Sequence, residues 1–138
     1  MKKLLEVGKA SLNYVVFLAS FNKEMQTLGF PCWSGALAEA PFDGISDTLR
    51  GTKGMSLDMY RQPEAVKGAC EVFVRIFLDM AIATAKINGV PIIFMPLHKG
   101  TASSRDGKGG LMSLKQFEEF YWPTLKKVML GLIDEGRN

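Results

Sequence analysis

Apolar positions along the chain fall into a few blocks of different period. Leu4, Leu5, Val7, Leu12, Val15, Val16 and Leu18 recur near helical spacing, which predicts a first helix over 1–25. Glu6 and Lys9 interrupt that block and no small-residue cleavage site follows it. It therefore reads as an amphipathic helix of a globular protein rather than a signal peptide, and short of the roughly twenty apolar residues of a membrane span. Gly29 and Pro31 break the pattern, and the proline-bounded run 30–42 predicts an extended segment with a buried strand over 33–38. Asp43 is placed to cap a short helix through Thr48, ended by Gly51 and Gly54.

Pro63 opens the longest periodic block. Val66, Ala69, Val72, Phe73, Ile76, Phe77, Met80, Ala83 and Ile87 are spaced for one broad buried face of a helix that Asn88-Gly89 stops. The run that follows, 90–97, is continuously apolar and of strand length, the pattern of a parallel strand covered on both faces. Ser113, with Gln116 three residues on, predicts a capping box for a last helix that Pro123 should kink or restart. The order is helix, strand, helix, long helix, strand, loop, helix, the grammar of a single α/β domain. In such proteins sites gather at the C-terminal ends of strands. The two candidate regions are then 39–53 and 97–110.

Composition narrows the class. The 138 residues are 47% hydrophobic and 22% charged, enough for one globular core. A formal charge of +3, with seventeen Lys and Arg scattered among fourteen Asp and Glu, gives no concentrated basic face, so no nucleic-acid partner is expected. No membrane partner is expected either. Cys32 and Cys70 lie far apart without metal-ligand spacing, which points to reduced thiols in a cytoplasm and to no metal site. The loop after Leu97 lacks the P-loop pattern.

At the two tips, Arg50, His98, Lys99 and Arg105 are the residue types that capture carboxylates or phosphates. Two readings of His98 stand open: a ligand-contacting or proton-transfer group, or a half-buried ring hydrogen-bonded to loop backbone. Lys99 and Arg105 read as solvated loop cations ahead of ligand contacts. Asp43 and Asp47 face the site from the short helix unless Asp43 is simply its N-cap. Glu39, between two alanines at a strand end, calls for a cationic partner such as Arg50 or Arg105. Phe117, Phe120, Tyr121 and Trp122 read as helix packing.

Several of these stretches, in order, resemble the uroporphyrinogen decarboxylase superfamily. Ala40-Pro41-Phe42-Asp43 with Arg50-Gly51 is similar to the family's Ala-Pro-Trp-Thr strand end and the glycine closing its next helix. "MYRQPE", "GVPIIFMPL" and "SLKQFEEFYWPTLKKVMLGL" are similar to its following helix, strand and helix. The resemblance implies an α/β chain that is a partial (β/α)8 TIM-barrel fragment, helix-rich with a small parallel sheet. It implies a carboxy-lyase acting on a tetrapyrrole or related small anionic molecule without a cofactor. Glu39, Asp43, Asp47, Arg50, His98, Lys99 and Arg105 would be the substrate-binding residues. The family's arginine-rich loop and catalytic aspartate have no counterpart, so no catalytic residue is assigned and the site is expected to be incomplete. The superfamily's cobalamin-dependent methyltransferases bind zinc through His-x-Cys, whereas His98 is followed by Lys99 and Gly100. A methyltransferase fragment and a non-catalytic, self-associating fragment are the alternatives. An unfinished barrel implies a homo-oligomer or a complementary barrel fragment as partner.

Overall fold

The computed structural model describes residues 1–30, 35–100 and 110–137. The chain divides into two compact units, Met1–Trp33 and Ser34–Asn138. The first is the helix α1 (Lys2–Thr27), which buries none of its residues. Apolar side chains such as Leu5, Val7, Val16 and Phe17 are exposed on several sides of it, so the expected single apolar stripe is not what the helix presents. By length and composition α1 is apolar enough to cross a membrane, a criterion that core helices of soluble proteins and signal sequences also meet.

The second unit is helix-rich around a two-stranded parallel sheet. Strand β1 (Ala36–Leu37) pairs with β2 (Ile93–Phe94), Ala36 opposite Ile93 and Leu37 opposite Phe94. The ladder extends past the strands through Gly35 N–H to Ile92 O at 2.7 Å and Ala38 N–H to Phe94 O at 3.0 Å. Gly35 is required there, because a Cβ would meet the Val90 carbonyl oxygen at 2.3 Å. Both strands are shorter than expected. The second is not covered on both faces, since Ile92, Phe94 and Leu97 are exposed.

The connection from β1 to β2 is α2 (Pro41–Ile45), a π-helical turn (Ser46–Arg50), α3 (Thr52–Arg61) and α4 (Pro63–Asn88). Pro41 and Pro63 sit at helix starts, where a missing N–H costs nothing. Gly51, at φ +73, and Gly89, at φ +65, take the positive φ that ends their helices, Gly89 as a left-handed cap. Helix α3 was not anticipated: Gly54 was read as a terminator, yet it lies inside that helix, and Met55 and Met59 bury its inner face. After β2 come α5 (Leu114–Gln116), a second π-helical turn (Phe117–Tyr121) and α6 (Trp122–Asp134). The Ser113–Gln116 capping box forms as expected, and Pro123 restarts the helix after the π turn.

Helix α4 has the predicted span but a rotated face. Val66, Cys70, Ala81 and Ala85 are buried, whereas Val72, Ile76, Met80 and Ile87 are exposed. The inner stripe is made of small residues at the far end, which lets α4 approach α6 and the sheet closely; a Cβ on Gly131 would touch Leu78 at 2.8 Å. The core has two clusters. One gathers Phe42, Met55, Cys70, Phe120, Tyr121 and Leu125, the other Ala38, Ala81, Ala85, Val128 and Leu132, with Met95 packed against both.

Candidate functional site

Parallel pairing sends β1 and β2 out of the sheet in the same direction, so the residues after each strand meet. Ala40 turns the chain and Pro41 starts α2, which places Asp43 in its first turn rather than at its cap. The N-cap role expected for Asp43 is corrected: the N-cap is Ala40, and the Asp43 carboxylate is fully buried and turned toward the other strand tip. Its Oδ2 accepts the His98 backbone N–H at 2.8 Å and the Tyr121 hydroxyl at 2.6 Å, and its Oδ1 accepts the Lys99 backbone N–H at 3.2 Å. A buried carboxylate without donors would be strongly unfavourable, and these three donors are what make the position tenable.

Asp47 stands one turn further along, on the π-helical turn, with its side chain 30% exposed. Its Oδ2 is 2.6 Å from His98 Nδ1, and its Oδ1 accepts from the Lys99 ammonium. A carboxylate only accepts, so Nδ1 carries the proton and the neutral ring keeps its lone pair on Nε2. The Lys99 ammonium, then the His98 ring, hold the Asp47 carboxyl below the usual carboxylate range. The Asp47 carboxylate in turn raises His98 above the ordinary histidine value. Burial, and then the Asp43 carboxylate, push the Tyr121 hydroxyl up, so it stays a proton donor to Asp43 throughout the physiological range.

The reading of His98 as a half-buried ring hydrogen-bonded to loop backbone is corrected. Its ring is 54% exposed and bound to a carboxylate, while its backbone, not its ring, is what the loop anchors. Lys99 is not a solvated loop residue: its side chain is only 9% exposed. Of the other expected site residues, Arg50 points elsewhere, giving Asp58 a two-pronged pair at 2.5 and 3.1 Å. That pair lines a separate shallow cleft with Ile45, Leu49, Met55 and Val66. Glu39 is half-buried, its Oε2 lies near Gly44, and Arg50 is not its partner. Arg105 lies outside the described residues, as does Cys32.

Tyr121 is the member the sequence reading missed, having been assigned to packing alone. The signal was a phenol within an apolar aromatic run, since a buried tyrosine hydroxyl needs a partner. It also packs as expected, stacked on Phe117 at 5.3 Å and tilted against Phe42 at 5.8 Å. Both π-helical turns thus deliver a residue to the same cluster, Asp47 from one and Tyr121 from the other. Chemically the cluster offers an oriented imidazole whose basic nitrogen faces away from its carboxylate, beside a nearly buried ammonium. Among the described residues no group of histidine, cysteine and carboxylate side chains is arranged to hold a metal ion. The chain matches no protein family, no curated protein and no solved structure.

Proposed function

We propose that the strand-tip cluster is the substrate-contacting part of a uroporphyrinogen decarboxylase-like carboxy-lyase, the chain being one portion of a (β/α) barrel. The observation that supports this reading is the meeting of the two regions that the sequence singled out separately, with Asp43 and Asp47 bonded to His98 and Lys99 at the C-terminal ends of parallel strands. Lys99 and protonated His98 are the cations that hold a carboxylate-bearing substrate. In the decarboxylation a C–C bond breaks, carbon dioxide leaves, and the carbon takes a proton in its place; His98 is the group positioned to supply it. Neighbouring barrel strands, from a second copy or a complementary fragment, complete the site. Incubation with uroporphyrinogen and chromatographic detection of coproporphyrinogen tests the assignment. Turnover, or saturable binding of the tetrapyrrole, that disappears in His98→Ala supports it, and neither turnover nor binding above background for the unmodified chain removes it.

A further inference from the structure

Asp47 bridges the His98 imidazole and the Lys99 ammonium, one oxygen to each, yet it is not part of the buried anchor. Its place is at the surface of the π-helical turn Ser46–Arg50. His98 and Lys99 are held without it: their backbone N–H groups are fixed by Asp43, and Asp43 is itself pinned by the Tyr121 hydroxyl. Asp43 and Tyr121 thus fix the backbone from which the imidazole and the ammonium project, and Asp47 fills the space between the two side chains. Lys99 is too deeply placed, with its side chain 9% exposed, to follow Asp47 into solvent. A nearly buried ammonium left without a counter-ion is unfavourable, so Asp47 leaves only in exchange for another anion. The other cation of the same turn, Arg50, is engaged by Asp58 and does not compete.

We propose that Asp47 is an intramolecular stand-in for a ligand carboxylate, occupying the His98–Lys99 cradle until a carboxylate-bearing small molecule displaces it. The proposal rests on the reading that the strand tips contact substrate, and it names the group that binds there. A carboxylate is the class because the present occupant is one: a planar anion whose two oxygens separately meet an imidazole N–H and an ammonium. Among the described residues, the charged and titratable groups around the cradle are Asp43, Asp47, Lys99, His98 and Tyr121.

The chain has a single histidine, so the ring resonances of His98 report on the cradle without assignment ambiguity. Citrate, acetate and inorganic phosphate are titrated at constant ionic strength into the full chain, into Asp47→Asn and into Lys99→Met. Citrate is expected to shift the His98 signals in the unmodified chain, to bind Asp47→Asn about tenfold more tightly once the internal competitor is gone, and to lose binding in Lys99→Met. If citrate binds the unmodified chain but Asp47→Asn no more tightly, the stand-in role is overturned while the substrate-contacting reading survives. If neither protein responds to any carboxylate, both fall. Phosphate binding as tight as citrate overturns the carboxylate assignment. Circular dichroism checks the fold of each variant, with Asp47→Ser as a second replacement; loss of fold in both makes Asp47 a structural anchor and also overturns the proposal.

Discussion

The buried carboxylate of Asp43 accepts a 2.6 Å hydrogen bond from the hydroxyl of Tyr121, joining the first turn of α2 to the end of the second π-helical turn. Because the same oxygen also accepts the His98 backbone N–H, the bond fixes both the packing of the C-terminal helix and the position of the loop that carries the site. Tyr121→Phe keeps the ring and its stacking on Phe117 but leaves the carboxylate one donor short. Hydrogen bonds to charged groups are worth about 1.5–3 kcal/mol, and the loss should fall in that range. Urea unfolding of the variant with an unchanged denaturant slope is the expected result, and a midpoint equal to that of the unmodified chain would show that the bond contributes nothing.

The Asp47 cluster predicts a window of pH. Asp47 is held below its ordinary value of 3.8, so its contribution is present above that value and is lost as pH falls through its folded-state pKa. His98 is raised above 6.5, so its contribution is complete below that value and is lost as pH rises through the raised pKa. The difference in urea midpoint between the unmodified chain and Asp47→Asn should therefore be largest from about pH 4 to about pH 6.5 and narrow on both sides. Above that window the Lys99 pair persists, so the difference shrinks without vanishing. A difference that is flat from pH 3 to pH 9 contradicts the His98–Asp47 pair.

Burial, and to a smaller extent Glu71, pushes the Cys70 thiol up to about 12, which leaves almost no thiolate at neutral pH. Its side chain is packed in the cluster with Phe42, Met55 and Tyr121. Alkylation at pH 8 followed by peptide mapping should leave Cys70 unmodified in the folded chain and fully modified in urea. Rapid native labelling would place this side of α4 at the surface instead.

What the sequence made legible follows from which signals are local. Helix starts and stops carry their own chemistry, so Pro63, Gly89 and the Ser113–Gln116 box were readable directly, and the parallel grammar correctly brought residues 43–47 beside 98–99. The face of α4 was not readable, because burial there is set by close approach to α6 and the sheet. That approach selects Ala81 and Ala85 over the larger Met80 and Ile87. Helix α3 was hidden by a glycine tolerated inside it. The roles of Asp43 and Tyr121 depend on a contact across 78 positions, which no periodicity reports.

The second unit leaves apolar side chains uncovered where the sequence demanded cover. Ile92 and Leu97 flank β2, and Leu37 lies on β1, yet all three are exposed, as are Val72 and Met80 on the outer side of α4. Exposed apolar surface of this kind on a strand-bearing face marks an association site. The chain should therefore self-associate at low micromolar concentration, burying these positions against a second copy. Ile92→Asp is the informative variant, because Ile92 is exposed whereas its neighbour Ile93 packs on the cluster of Ala36 and Ala81. A charge at Ile92 should thus weaken association without disturbing the core. Light scattering is expected to give a dimer or larger species for the unmodified chain and a smaller one for Ile92→Asp at unchanged helical content. A monodisperse monomer that binds no hydrophobic dye would refute the association.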